Sequence, residues 1–222
     1  MAGMPFDLQL LNACAALLLL LSFSMLSQRR IVTLVNLLAM QGGLLFVATL
    51  LLAWRTGQSH LYLSAALTLL LKVILLPWLL HRMIRRLEVY WDTEPLINTA
   101  GTMLAGVVTV VFAFGLAQPI AALASTAMRN AIGIALAVIL LAFITMITRR
   151  KAMSQVVGFL SMENGLFFGA MSATYGMPMI VELGVALDVL VAMLVLGVFF
   201  FQIREQFDSL DLHHLESLKE DQ

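Results

Sequence analysis

Residues 152–174 read AMSQVVGFLSMENGLFFGAMSAT, and this stretch decides the fold class. It contains no lysine or arginine and a single acid, Glu163, at its centre. A helix needs about 20 mainly apolar residues to cross the hydrocarbon core of a bilayer. The stretch follows Arg149, Arg150 and Lys151, whose charges are typical of a turn at a membrane surface. It is therefore predicted to be a transmembrane helix with an ionisable residue near the middle of the membrane.

Apolar runs of similar length recur along the chain, separated by short polar or charged turns. Seven runs span residues 6–27, 31–54, 61–84, 96–117, 130–148, 152–174 and 178–203. The fifth run is the shortest, with 19 uncharged residues, so six helices are the alternative to seven. We expect an all-α polytopic membrane protein with about seven transmembrane helices.

Composition excludes several classes of protein. The chain has 222 residues, 61% hydrophobic and 12% charged, with a mean hydropathy of +0.97. A soluble domain is usually about 45–50% apolar and about 25% charged. A fold of this size cannot hide so much apolar surface from water, so a soluble enzyme is excluded. A nucleic-acid binder is not favoured, because 13 basic residues balance 13 acidic ones. The single cysteine, Cys14, forms no internal disulfide and belongs to no metal-binding motif.

Lysine and arginine are distributed asymmetrically between the two sides of the predicted membrane. With the turn at Arg29 placed in the cytoplasm, alternation of seven helices puts ten basic residues on the cytoplasmic side. These are Arg29, Arg30, Arg82, Arg85, Arg86, Arg149, Arg150, Lys151, Arg204 and Lys219. Only Arg55 and Arg129 fall on the other side. The N-terminus is thus predicted outside and the C-terminus in the cytoplasm.

Four ionisable residues lie within the predicted spans: Lys72, Glu163, Glu182 and Asp188. A charge at mid-bilayer costs about 2.5–3.5 kcal/mol on insertion scales, so these side chains are expected to face protein or water. Lys72, Glu163 and Asp188 lie near the middle of three different helices, and Glu182 lies about 9 Å nearer the outer surface. Two interpretations remain open. The residues form a proton relay along a common polar axis, or they form buried ion pairs that only fix helix packing.

The sixth run carries further polar and small residues beside Glu163. Gln155 and Asn164 are candidates for polar support of a relay. Gly158, Gly165 and Gly169 recur at spacings of seven and four, which allows a neighbouring helix to approach closely.

Two other seven-helix functions are not favoured by the sequence. A retinal protein needs a Schiff-base lysine in its last helix, and the run 178–203 contains none. A sugar carrier is expected to show a duplicated three-helix pattern, which is not apparent. No nucleophile motif or phosphate-binding loop is present either, so we predict no active site and no metal site in this chain.

The residues that carry a family resemblance lie mainly in the last three runs. They are Arg149-Arg150, Gly158, Met162-Glu163-Asn164-Gly165 and the stretch from Val181 to Asp188, with Lys72 and Pro77 in the third run and Leu210-Asp211-Leu212 in the tail. In this order they resemble hydrogenase-4 component E, a membrane subunit of formate-hydrogenlyase-type, group 4 hydrogenase complexes. The last three helices are also similar to the K-type subunit of respiratory complex I and the C-type subunit of multisubunit cation/proton antiporters.

The complex I subunit has two glutamates on consecutive helices, in a chain of polar residues along its membrane arm. Aligning Arg149-Arg150 and Gly158 places the first family glutamate on Leu160, so Glu163 lies one turn, about 4.5 Å, deeper. The second corresponds to Asp188. The resemblance implies three regions: a four-helix membrane region at 1–128, a K-subunit-like region at 129–203 and a cytoplasmic tail at 204–222.

The resemblance implies a non-catalytic subunit without a cofactor of its own. It would lie between antiporter-like membrane subunits and the quinone-site-like membrane subunit that carries the peripheral hydrogenase arm. The Ni-Fe centre and the iron–sulfur clusters would belong to partner subunits. Arg149 and Arg150 would mark the cytoplasmic edge of a bacterial or archaeal cytoplasmic (inner) membrane. The alternatives are a subunit of a cation/proton antiporter or inorganic-carbon uptake assembly, and an autonomous small transporter.

Overall fold

The computed structural model describes residues 6–87, 98–121 and 126–174, together with positions 184 and 187. The chain divides into two compact units, Met1–Ala186 and Leu187–Gln222, and all the helices discussed here belong to the first. They are α1 (Phe6–Ser27), α2 (Ile31–Thr56), α3 (Ser59–Thr68), a π-helical segment (Leu69–Leu75), α4 (Leu76–Leu87), α5 (Thr99–Ala121), α6 (Thr126–Thr148) and α7 (Ala152–Thr174).

The prediction of an all-α polytopic membrane protein is confirmed. Six helices within the described ranges are long and apolar enough to cross a membrane, with α3, the π-helical segment and α4 forming one continuous span. They match the first six apolar runs, and the bounds of α1 and α7 coincide with the predicted ones. Of the seventh run, 178–203, the structure describes only positions 184 and 187, so the prediction of a seventh helix stays a prediction. The orientation and the region boundaries at 128 and 203 stay predictions.

Several helix ends differ from the predicted runs by two to four residues. The predicted end of the fourth run at residue 117 is wrong, because α5 continues through Pro119 to Ala121. The end of α2 is set by Gly57, which adopts the left-handed conformation (φ 66°) that favours glycine. Its N–H donates to the carbonyl of Ala53 at 2.9 Å and closes the last turn of α2.

The third span widens at its centre. From Leu69 to Leu75 it is a π-helix, and the N–H of Leu76 donates to the carbonyl of Leu71, five residues earlier. Pro77 follows immediately; it has no N–H, and its ring clashes with the carbonyl four residues before it in a regular α-helix. The wide turn lies next to this proline and contains Lys72. π-turns inside helices are frequent at functional sites.

α7 packs tightly against α6 through its glycines. A Cβ at Gly158 would lie 2.7 Å from Met146 Cγ, and one at Gly169 would lie 2.9 Å from the Cβ of Ala135. Between them, a Cβ at Gly165 would lie 2.9 Å from Val138 Cγ1. The glycine spacing read from the sequence therefore corresponds to a close antiparallel contact, because these positions run in opposite order along the two helices.

The apolar core lies among α1, α2, α6 and α7. Its fully buried side chains include Leu18, Leu45, Val138 and Phe168. α5 packs on α6 and α1 but exposes a row of apolar side chains to the surroundings. The side chains of Lys72 and Glu163, by contrast, are enclosed within this bundle.

Candidate functional site

Lys72 and Glu163 form a buried ion pair. The Lys72 Nζ lies 2.6 Å from Glu163 Oε1, and the two side chains are 3% and 2% exposed. Lys72 comes from the π-helical segment of the third span, and Glu163 from the middle of α7. The structure thus brings together two of the four ionisable residues predicted to lie in the membrane, although they are 91 positions apart in sequence.

Further groups hold the Lys72 ammonium in place. It donates to Asn164 Oδ1 at 3.0 Å and lies 5.5 Å from the centroid of the Phe167 ring. Phe167 is a helix-surface neighbour of both Glu163 (four residues earlier) and Asn164 (three residues earlier), and α7 alone supplies all three contacts. Gly42 of α2 makes room on the opposite side, since a Cβ there would lie 3.0 Å from both the Cβ and the carbonyl oxygen of Lys72.

A branch of side-chain hydrogen bonds leads from the pair across α2 to α1. The amide nitrogen of Asn164 donates to Gln41 Oε1 at 3.2 Å. The amide nitrogen of Gln41 donates to Ser22 Oγ at 2.8 Å, and Ser22 Oγ donates to the carbonyl of Leu18 at 2.8 Å. All three polar side chains are buried. We call Asn164, Gln41 and Ser22 the amide branch.

The energetics of this cluster follow from its burial. Each charge would be costly alone in a low-dielectric interior, and each is compensated by the other and by neighbouring dipoles. Removing either charge would therefore cost more than removing both, because the remaining member would lose its 2.6 Å partner. The stability of each ionised side chain thus depends on the position of the other.

The other predicted site residues lie elsewhere. Arg149 is buried, and its Nη2 donates to the carbonyls of Met25 at 3.3 Å and Leu26 at 3.1 Å. These carbonyls belong to the last turn of α1, which leaves orphan acceptors that a cation satisfies well. Arg150, at the same turn, is exposed. Arg149 thus closes the end of a helix from inside the bundle.

Gln155 does not belong to the ion-pair cluster, contrary to its predicted role as polar support. Its amide nitrogen donates to the carbonyl of Arg149 at 2.9 Å, and the side chain is exposed. It lies two turns before Glu163, which places it at the helix end rather than at mid-depth. Asn164 does contact Lys72. Glu182 and Asp188 lie outside the described residues.

Gln41 and Ser22 were missed by sequence reasoning. Gln41 had a usable signal, because it is an amide inside a long apolar run and precedes the Gly42-Gly43 pair. Ser22 had none, because a serine in a transmembrane helix usually satisfies its hydroxyl on its own backbone. No group of three or more histidine, cysteine or acidic side chains that could hold a metal ion occurs within the ranges that the structure describes. The absence of a cofactor from the whole chain stays a prediction.

With this geometry established, comparison with known proteins identifies the relatives of the chain. Over 212 residues it is 36% identical to an uncharacterized protein of Mycobacterium tuberculosis, Rv0085. The alignment covers 95% of this chain and 96% of the mycobacterial protein. The chain belongs to the same family.

More distant relatives carry a functional name. The chain is 27% identical over 175 residues to hydrogenase-4 component E of Escherichia coli K12, covering 79% of this chain and 76% of that protein. The same values hold for hydrogenase-4 component E of Shigella flexneri. These matches support the resemblance predicted from the sequence. Neither a family model nor a solved structure matches the chain.

Proposed function

We propose that the chain is a non-catalytic membrane subunit of an energy-converting, group 4-type hydrogenase or a related complex I-like redox complex. Its role is to contribute buried charges to the axis that couples the redox reaction to proton translocation. The observation that carries the proposal is the Lys72–Glu163 pair, enclosed at 2.6 Å in the middle of two apolar spans.

The pair suits coupling because its two proposed states differ in the position of Lys72 and by one bound proton, so the net charge of the pair changes from zero to +1. While Lys72 contacts Glu163, both side chains stay ionised and compensate each other. When a charge in a neighbouring subunit draws Lys72 away, the Glu163 carboxylate takes up a proton. The return of Lys72 favours the release of that proton. The proton route is thus opened and closed by one lysine on a π-helical turn.

The likeness to hydrogenase-4 component E supplies the proposed context. The chain would assemble with antiporter-like membrane subunits and with the quinone-site-like subunit that carries the peripheral hydrogenase arm. The Ni-Fe centre and iron–sulfur clusters would lie in those partners, with none in this chain. Glu182 and Asp188 would extend the axis beyond Glu163. The complex would lie in the bacterial or archaeal cytoplasmic (inner) membrane, with the tail after Arg204 inside.

Purification of the tagged chain from its own membranes tests the assembly. We expect co-elution with large multi-helix subunits and with nickel- and iron-containing proteins. A membrane complex without iron or nickel would contradict the hydrogenase assignment and favour an antiporter or inorganic-carbon uptake assembly. Proton movement by the isolated chain in liposomes, abolished by Glu163→Gln, would favour an autonomous transporter instead.

Redox-driven proton translocation by the purified complex in proteoliposomes tests the role of the pair. We expect Glu163→Gln and Lys72→Met each to lower the number of protons translocated per hydrogenase turnover by about ten-fold or more. The first variant removes the carboxylate that takes up the proton, and the second removes the ammonium whose movement controls that uptake. Arg55→Gln is the matched control, since it deletes an exposed charge at the end of α2. Normal translocation in the Glu163→Gln complex would overturn the proposed role.

A further inference from the structure

The direction of every hydrogen bond in the amide branch is fixed by Lys72. A lysine ammonium has three donors and no acceptor. The Asn164 atom that faces it is therefore the oxygen, and the amide nitrogen must point toward Gln41. Gln41 in turn presents its oxygen to Asn164 and its nitrogen to Ser22. Four groups in succession thus donate in one direction, away from the ion pair.

The branch is unsuited to proton conduction. Asparagine and glutamine side chains do not titrate near neutral pH, so neither amide takes up one proton and passes on another. The last donor, Ser22, donates to the main-chain carbonyl of Leu18, which has no proton to pass on. The branch crosses from α7 through α2 to α1 without offering a titratable group.

The same bonds are well suited to orientation. Asn164 has an oxygen and a nitrogen of similar size, and Lys72 by itself favours the oxygen because the ammonium has no acceptor. Gln41 holds the amide from its other end, because its oxygen accepts from the nitrogen of Asn164 at 3.2 Å. Ser22 fixes Gln41 by accepting from its nitrogen at 2.8 Å, and the Met25 sulfur lies 3.7 Å from the same nitrogen.

We infer that Gln41 and Ser22 are positioning residues that hold Asn164 with its oxygen toward Lys72, and that protons reach and leave the Lys72–Glu163 pair without passing along the amide branch. The second half of this inference rests on the proposed coupling function; the first half does not. The branch therefore offers no proton route on the side of the pair that faces α1 and α2. It also holds the Asn164 oxygen where it accepts a hydrogen bond from Lys72.

Solid-state NMR of the full chain in bilayers tests the positioning role without any partner subunit. The chain has three lysines, Lys72, Lys151 and Lys219, so labelled lysine Nζ gives few signals and Lys72→Met assigns the buried one. Dipolar recoupling to labelled asparagine Cγ then reports the Lys72–Asn164 contact.

We expect Gln41→Met, which keeps the length of the side chain but has no amide, to weaken this coupling about two-fold or more, because the Asn164 side chain becomes free to turn about its Cα–Cβ bond, which moves Cγ away from Lys72. Ser22→Ala should weaken it less. Ser24→Ala is the matched control, since Ser24 makes the same bond to the carbonyl four residues earlier but is exposed. Unchanged coupling in the Gln41→Met chain would overturn the positioning role.

Protons translocated per turnover in the reconstituted complex test the route. We expect Gln41→Met and Ser22→Ala to keep the wild-type ratio, even where Gln41→Met slows turnover several-fold. If Glu163→Gln abolishes translocation and Ser22→Ala abolishes it too, the branch conducts and the inference fails while the proposed function stands. If Glu163→Gln has no effect, the proposed function fails, and the NMR comparison by itself decides the positioning role.

Discussion

α5 and α7 are both 23 residues long, and their environments are opposite. The membrane-spanning window of α5 is 22% buried within the protein, whereas that of α7 is 56% buried, although α7 is the least hydropathic of the six spans described. In a soluble protein the more apolar helix is the more buried one. Here the order is reversed, because lipid is as apolar as a leucine core and only polar or closely packed surfaces gain from leaving it.

The two helices reach these positions through different side chains. α5 presents Val108, Val111 and Phe112, each more than half exposed, to the surroundings. α7 presents glycines to α6 and Glu163 and Asn164 to Lys72. Polarity and small size, rather than hydrophobicity, mark the helix that forms the centre of the bundle.

The largest expected effect comes from making α7 as apolar as α5. Glu163→Leu removes the carboxylate that lies 2.6 Å from the buried Lys72 ammonium and should lower the free energy of unfolding by about 3–5 kcal/mol. The double variant Lys72→Met/Glu163→Leu should recover most of this loss, since it removes both members of the ion pair together. Denaturant titration of the chain in mixed micelles measures both.

The double variant is also a control for the change in side-chain shape at position 163. Both chains carry leucine at 163, so a defect caused only by the shape of that side chain would persist in the double variant. Equal losses in the two would show that the bundle does not depend on the charge balance of the pair.

A smaller effect is expected from adding one methyl group to each helix. Gly165→Ala places a Cβ 3.2 Å from the backbone nitrogen of Ile139, which cannot move aside easily, and should cost about 1–3 kcal/mol. Gly115→Ala on α5 meets nothing within 4 Å and should be neutral or stabilise the chain by about 0.5–1 kcal/mol. Thermal unfolding in nanodiscs measures the two changes side by side, and a loss at position 115 equal to that at 165 would remove the distinction between the helices.

The smallest effect is expected on the exposed surface of α5. Val111 is 69% exposed and lines an open apolar groove between α1 and α5. Val111→Ala should change the free energy of unfolding of the isolated chain by about 0.5 kcal/mol or less. A loss of several times that size would mean that α5 contributes to the core, and would break the contrast with α7.

Much of this fold was accessible from the sequence. Membrane spans are set by length and hydropathy alone, so α1 and α7 were placed with the bounds that the structure has. The Lys72–Glu163 contact was expected for the same reason, since two opposite charges at similar depth have few partners to choose from. Hydropathy indicates how deep in the membrane each residue lies. The helix bounds and the Lys72–Glu163 contact could be predicted from that depth.

The sequence did not predict how the helices are arranged within the plane of the membrane. Hydropathy gives no information on which helices are neighbours, so the route from Asn164 through Gln41 to Ser22 was not predicted. Gln155 was misplaced for a related reason. Its polarity was read as part of the buried cluster, whereas at the edge of the membrane an amide finds a backbone carbonyl at a helix end.

The end of α1 is bonded to Arg149, a residue that is synthesised much later than α1. The carbonyls of Met25 and Leu26 accept from a side chain more than 120 positions further along the chain. During synthesis, the first helix therefore enters the membrane with its last turn bonded to water or lipid headgroups, and it reaches its final state only after α6 has been translated. Chains truncated before residue 149 lack this arginine, so the last turn of their first helix keeps those two carbonyls bonded to water or headgroups.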